Sequence, residues 1–411
     1  MSYLENLLQG VEVEWKTLGE VVDIANTGVD KKINADELTV RLLNFVDVFK
    51  NQYISNDTPT MIVTATERKI ADCNVKKGDV FITPTSELID EIGFSAMAIE
   101  DFDNVVYSYH IMRLRINNQN YLFPAYLNYL FKSKDIRKQI RKKAQGITRY
   151  GLTQPNWKSI QIPIPPLDVQ QEIVRILDRF AELTAELTAE LTARQKQYEY
   201  YREQLLMVND EGLMNNEKVE WKKLGEIAVK ISSGGTPSTS INDYYDGDIP
   251  WLRTQEVDFK DIWDTEIKIT EAGLKNSSAK IIPENCVIVA MYGATVGKIG
   301  INKIPLSTNQ ACANIHVDEN IANYRYVFHY LSSKYEHIKS LGTGTQTNIN
   351  AQIIKNYLIP VPPLAEQERI VAILDKFDTL TSSITEGLPR EIELRQKQYE
   401  YYRDQLLMFN G

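Results

Sequence analysis

The chain has 411 residues, 43% of them apolar and 25% charged, with a net charge of −9. That size asks for two to four domains and that composition belongs to folded protein, so a disordered chain and a single small core are both excluded. Cys73, Cys286 and Cys312 are too scattered for a disulfide framework or a zinc site, and no run approaches the ~18 apolar residues of a membrane span, so a reducing cytoplasm is expected.

Taken in chain order, the elements run through two rounds. "VEWKTLGE" (residues 13–20) opens the first, and "VFITPTS" (80–86) is a β-branched run closed by turn formers, as suits a buried strand. "AYLNYLFKSKDIRKQIRKK" (125–143) has helical apolar spacing, and residues 132–149 hold eight basic residues against one acid, Asp135. "QGITRYGLTQPNW" (145–157) leaves that helix through glycine. After "IPIPPLDVQQEIVRILDRF" (162–180) a helix is expected over 167–207. Its Ile173, Leu177, Phe180, Leu187, Leu191, Tyr198, Tyr201 and Leu205 recur in threes, fours or their sums, a coiled-coil seam. Inside it "AELTAELTAELTA" (181–193) repeats every four residues, and "RQKQYEYYREQLL" (194–206) closes it.

The second round brings "VEWKKLGE" (219–226), "GGTPS" (234–238), "IPWLRTQEV" (249–257) and the strand "CVIVAMYG" (286–293), which runs on into "MYGATVGKIG" (291–300). The helical "YRYVFHYLSSKYEHIKSL" (324–341), the polar "GTGTQTNIN" (342–350) and "IPVPPLAEQERIVAILDKF" (359–377) follow. "RQKQYEYYRDQLL" (395–407) ends the round, differing from the first copy only in Asp404 for Glu203. Gly387 and Pro389 predict a break in this second helix. Between these anchors the two rounds scarcely agree.

The expected architecture is α/β. Two globular mixed α/β bodies (1–163 and 219–360) are separated by two long antiparallel coiled-coil helices (164–208 and 361–411). Residues 209–218 serve as a linker, and the whole is pseudo-twofold symmetric.

Together these residues resemble the specificity subunit of Type I restriction–modification systems. The two "IPxPPLxxQxxIVxILDxF" strings resemble that family's conserved helical regions, and "GGTPS" with "MYGATVGKIG" resembles its target recognition domains. The Thr-Ala-Glu-Leu repeat resembles its class C branch, and the resemblance spans the whole chain. It implies a non-catalytic reader of double-stranded DNA in which each body, a target recognition domain, reads half of a bipartite asymmetric site. The helices would set the spacing and dock two methyltransferase (modification) subunits, with restriction/translocase subunits joining them. S-adenosylmethionine, ATP and Mg²⁺ are then expected in the partners, with no cofactor and no metal in this chain. On this reading the helical string is repeated because its partner is.

The residues suggest where DNA would lie. Lys134, Lys138, Arg141 and Lys142 fall along one helix face, with Arg137 and Lys143 beside it, and suit phosphates, though the same charges also suit a merely solvated helix. Arg149, Tyr150 and Gln154 follow in the first round. Counting back from the Ile-Pro anchors pairs Arg149 with Gln346 and Tyr150 with Thr347, next to Asn348. Arg suits a guanine edge, and Gln or Asn an adenine edge. Tyr292, Thr295 and Lys298 ride a Gly-rich turn, and Arg253 with Gln255 are further candidates. Tyr198, Tyr201, Leu205, Tyr399, Tyr402 and Leu406 are expected in packing and in partner docking.

Catalytic motifs are missing. "GATVGKI" (293–299) has three residues between its glycines where a phosphate loop needs four, and Ile299 stands where Ser or Thr should hold Mg²⁺. There is no Asn-Pro-Pro-Tyr, and "EVDFK" (256–260) is too short a match to indicate a nuclease. The competing readings are a protein-binding scaffold without DNA specificity and a self-sufficient DNA methyltransferase or nuclease.

Overall fold

The opening and closing anchors of each round are the two strands of one antiparallel ribbon. In the first, β1 (Glu14–Thr17) pairs with β12 (Gln161–Ile164), setting Trp15 opposite Pro163. In the second, β15 (Glu220–Lys223) pairs with β25 (Leu358–Val361), setting Trp221 opposite Pro360. Proline is tolerated here because a two-stranded ribbon has only edges. This computed structural model describes residues 7, 10–342, 348–383 and 385–409.

Between its anchors the first body builds a five-stranded sheet and a smaller one. The larger runs β2 (Val22–Ala25), β10 (Met112–Ile116), β6 (Val80–Ile82), β8 (Ser95–Ala98), β4 (Tyr53–Ile54), with only the last pair parallel. The smaller runs β5 (Met61–Ala65), β3 (Leu38–Leu43), β9 (Val105–Tyr107), with β3 and β9 parallel. The second body repeats the plan. Its β16 (Ala228–Ser233), β24 (Cys312–Val317), β21 (Val287–Ala290), β22 (Ile299–Asn302) and β18 (Asp261–Ile262) follow the same order, again with the last pair parallel. Its smaller sheet runs β19 (Lys268–Ile269), β17 (Tyr245–Leu252), β23 (Leu306–Thr308), β20 (Ile281–Ile282), with β17 and β23 parallel. Two sequences that hardly match thus fold to one topology.

Helices seal each large sheet. In the first body α1 (Pro124–Leu130) and α2 (Lys134–Lys143) bury Tyr126, Tyr129, Ile136 and Ile140 beside Trp157. The long helix α3 (Leu167–Leu206) then leaves the body. In the second, α4 (Tyr324–Ser333) buries Tyr326, Phe328 and Leu331, and α5 (Tyr335–Ser340) buries Ile338. Then come α6 (Leu364–Ser382) and α7 (Gly387–Leu406). α6 ends at Ser382 and α7 begins at Gly387, so Gly387 and Pro389 lie in the first turn of α7 and not in mid-helix. Gly387 is at φ +79°, and a Cβ there would meet the Thr379 carbonyl oxygen at 2.4 Å, so only glycine fits. Proline costs little in a first turn, where no helical hydrogen bond is lost.

The stretch expected as a linker is structured. Leu213–Met214 (β13) and Glu217–Lys218 (β14) form a hairpin around Asn215 and Asn216, both at positive φ, and Met214 is fully buried. Two adjacent asparagines supply the left-handed turn that a tight hairpin needs.

Contacts divide the chain into two units, Met1–Leu187 with Ile392–Gly411, and Thr188–Glu391. In the first, Phe180 of α3 stacks on Tyr402 of α7 at 5.1 Å, and Leu406 and Leu407 enter the core. In the second, Tyr198 and Tyr201 of α3 stack on Phe377 of α6 at 6.1 and 5.6 Å, and Leu206 enters the core. Each copy of the repeated string therefore packs on a copy of the repeated "ILDxF" anchor. The packing expected of Tyr198, Tyr201, Leu205, Tyr399, Tyr402 and Leu406 is thus found, with Tyr201 still 39% exposed. Leu406 is fully buried, Leu205 packs on the second core and Tyr399 on the first, and the other tyrosines stack inside their units. Coiled-coil periodicity identifies a buried seam, and here the seam is filled from within the chain.

Candidate nucleic-acid interface

Ser133 starts α2 by accepting a hydrogen bond from the Ile136 amide, and Ile136 and Ile140 fix its buried face. The basic residues accordingly point outward, but not into an open row. Lys134 pairs with Asp404 of α7 at 2.8 Å, and Arg141 pairs with Asp90 at 2.5 Å. Arg137 donates to the carbonyls of Ile92 and Asp90, and Lys143 to the Ser159 hydroxyl at 2.8 Å. Lys138 and Lys142, one turn apart and exposed, have no partner among the described residues. The expected four-residue row is thus reduced to two free charges, because α2 lies beside the acidic loop after β7 (Thr85–Ser86) and beside α7.

The remaining first-body candidates converge on one end of the large sheet. Tyr150, in β11 (Tyr150–Gly151), pairs with Ser86, and the Arg149 guanidinium donates to the Thr85 hydroxyl at 3.1 Å. Gln145 and Gly151 exchange both backbone hydrogen bonds at 2.9 Å and pinch off a loop. At its tip Ile147 is 91% exposed, beside exposed Thr148 and Arg149. Gln154 does not join them; it is half-buried and donates to the Ile24 carbonyl at 3.3 Å.

The second body presents the matching end. Its Gly-rich turn follows β21 as loop 83–94 follows the equivalent β6. Thr295 donates to the Thr254 carbonyl at 2.7 Å and Lys298 pairs with Asp258 at 2.6 Å, so both are tied to their own body. Arg253 is held between Glu256 and Glu266 and is three-quarters covered. Gln255, beside it, is exposed. Tyr292 remains 38% exposed, and the Ile349 amide, bonded to the Met291 carbonyl at 3.0 Å, brings half-buried Asn348 alongside. Gln346 and Thr347 lie outside the described residues.

Several residues at these ends escaped the sequence reading. Ile147 and Thr148 carry no charge or amide to mark them, unlike Arg149 beside them. Tyr109 and His110, whose rings lie 4.0 Å apart, follow β9, where Asn309 and Gln310 follow the equivalent β23. His110 is held below its ordinary value by burial, then by Lys31 and Arg149, with Asp30 opposing. Nothing in sequence joins residues 31, 110 and 149. "GGTPS" does have a structural cause. A Cβ on Gly234 would lie 1.9 Å from the Thr308 carbonyl, so the chain crosses there in direct backbone contact.

Among the described residues no cluster of three or more His, Cys, Asp or Glu could hold a metal, and no helix is long and apolar enough to cross a membrane. All three cysteines are unpaired and buried, and burial pushes the Cys286 and Cys312 thiols up to about 12.

Comparison with known proteins adds the family. The family described as Type I restriction modification DNA specificity domain matches twice, over residues 10–194 and 216–394. The EcoR124I/EcoR124II specificity subunit of Escherichia coli is 38% identical over 423 residues, covering all of this chain and 97% of its own. A type I specificity subunit from Haemophilus influenzae is 32% identical, with 100% and 99% covered. Among solved structures, a type I restriction–modification assembly aligns with a TM-score of 0.63 at 17% identity, covering 97% of this chain and 98% of the other. The S subunit of M. genitalium aligns at 0.57 and 15% identity, with both chains fully covered. At those identities the likeness speaks for the fold.

Proposed function

Because the chain belongs to the Type I restriction–modification DNA specificity family, we propose that its two bodies are target recognition domains, each reading one half of a split, asymmetric site. The chain is a non-catalytic subunit that works with DNA and with the other subunits of such a system. The observation that carries the two-half reading is one topology bearing unlike side chains at the same end. The first body offers Ile147, Thr148 and Arg149, and the second offers Tyr292 and Asn348. An exposed isoleucine suits a thymine methyl, arginine a guanine edge and asparagine an adenine edge in the major groove. Lys138 and Lys142 would touch phosphates, which position the domain without specifying sequence.

In the proposed assembly two modification subunits dock on the helices, bringing S-adenosylmethionine, and restriction/translocase subunits bring ATP and Mg²⁺. The exposed face of the repeated string supports this docking. Tyr200 and Tyr401 hold equivalent positions and are 59% and 61% exposed. Each meets its neighbouring tyrosine edge-on, at 5.6 and 5.4 Å. The same surface is thus offered twice, with a preorganised aromatic anchor in each. The unpaired cysteines favour the cytoplasm as its compartment.

The test is to map methylated bases produced by the chain with its modification subunits. Ile147→Ala with Arg149→Ala should relax one half-site by about 1–3 kcal/mol per base and leave the other untouched. Equal change in both halves, or in neither, defeats the assignment. Lys138→Ala with Lys142→Ala should lower the salt slope of DNA binding by roughly 2 without altering the sequence read, which a protein-binding scaffold would not show.

A further inference from the structure

The first unit contains a cavity of about 570 Å³ beside the N-terminal half of α2. Lys50, Lys132, Arg137 and Arg403 line it, and no carboxylate does. The acids that act on its cations are already engaged: Asp404 by Lys134 and Arg403, Asp90 by Arg141, and Asp178 by the hydroxyls of Tyr53 and Tyr129 at 2.5 and 2.6 Å. Lys132 is the most telling member. Its ammonium donates to the Gln52 side-chain oxygen, and burial, then Arg403, push it down to about 8 against the pull of Asp178. The Gln52 amide nitrogen is buried with no hydrogen bond. Arg137 is likewise held below its ordinary range by burial.

Desolvated cations and an unsatisfied donor around one space are donors in search of an acceptor. We propose that this cavity binds an oxyanion of the phosphate class, either free phosphate or the phosphate end of a small monoester, between Lys132, Arg403 and the Gln52 amide. The space is far larger than a halide needs, and a guanidinium beside an ammonium matches several oxygens at once. The walls argue against a stacked base. Phe94 has Phe49 at 4.9 Å and the Arg137 guanidinium at 5.6 Å, so its faces are taken. The second unit has Ser332 where the first has Lys132, counting from Tyr126 and Tyr326, which both bond the carbonyl of their Ile-Pro anchor. The site belongs to the first unit alone and is independent of DNA reading.

Calorimetric titration of the full-length chain with inorganic phosphate, and separately with AMP, in chloride buffer of matched ionic strength would test it. Saturable one-site binding is expected, weakened at least tenfold by Lys132→Met and several-fold by Gln52→Leu. Tighter binding of AMP assigns the monoester, and equal or weaker binding assigns the free ion. Should Lys132→Met not fold, the wild type still decides: phosphate should raise its melting temperature at pH 7 and much less at pH 9.5, above the value of about 8 to which Lys132 is pushed. No saturable binding, or equal affinity in a folded Lys132→Met, overturns the proposal. So does displacement of phosphate by duplex DNA, which would return these cations to the DNA surface.

Discussion

One buried glutamine and one half-buried aspartate in each body explain why particular letters recur. Gln170 and Gln367 are fully buried, and each accepts from a backbone amide (Phe123, Asn323) at 2.8 Å while donating to the carbonyl of Pro165 or Pro362, also at 2.8 Å. They bind the start of each rod to its body. Gln170→Leu or Gln367→Leu leaves buried amides and carbonyls unsatisfied and should cost about 2 kcal/mol or more in denaturant unfolding, whereas Gln171→Ala on the exposed side should cost little. The aspartate of "ILDxF" recurs for a related reason: Asp178 takes two tyrosine hydroxyls, and Asp375 takes His329 and Arg325, both at 2.7 Å. Burial raises the Asp375 carboxyl, but His329 and Arg325 win and hold it below the usual range. Lys132 offers a pH test. Its folded value of about 8 lies below the model-compound 10.5, so between the two the unfolded chain holds the extra proton and this lysine makes stability rise with pH. Unfolding midpoints of wild type and Lys132→Met at pH 8 and 9.5, without phosphate, should differ in slope; parallel values would mean that Lys132 titrates as in water. The repeat made these residues visible, but their partners lie too far away in sequence to be read from it.

For the helices, periodicity identified the rod and its packed stripe. A helix over 167–207 was legible, and Leu167–Leu206 forms. The seam positions were legible too, but what fills them was not, because a heptad pattern gives an apolar stripe without naming its partner. The residues proposed to meet other proteins are those between the stripes, Tyr200 and Tyr401, both exposed. Tyr200→Ala and Tyr401→Ala should each reduce bound modification subunits from two toward one, read by mass photometry, and the double change should remove both. Tyr198→Ala should instead destabilise the second unit, since that ring packs on Phe377. Gly387→Ala should unfold more easily by over ~1 kcal/mol, because the alanine methyl has no room at that positive φ.

Over the whole molecule, duplication is the organising fact, and duplication is what a sequence displays best. Two bodies, their order and their anchors could all be read from it. At the ends proposed to face DNA, Arg149 and Tyr150 lie together in the first body and Tyr292 and Asn348 in the second, while Lys134, Arg141, Arg253 and Lys298 are tied to neighbours of their own. Arg253 pairs locally, with Glu256 and Glu266, but the partners of Lys134, Arg141 and Lys298 lie 40 or more residues away, which leaves no local pattern to find. The four-residue repeat predicts a ruler. Removing residues 184–187 takes away ~6 Å of helix and ~40° of rotation, so the spacer between half-sites should shorten while both half-site sequences stay the same. Altered bases with an unaltered spacer would refute it. The rods are not equal gauges, since 13 residues separate Phe180 from Arg194 and 17 separate Phe377 from Arg395.

The docking of one string on "ILDxF" has an evolutionary corollary. A nonsense mutation just beyond Leu206 would leave a polypeptide that keeps the first body, the Phe180 seat and a string nearly identical to the one that normally fills that seat. Two such products could occupy each other's vacant seats, giving a homodimer that recognises the same half-site twice. Novel specificity would then need no new residue, only a stop codon.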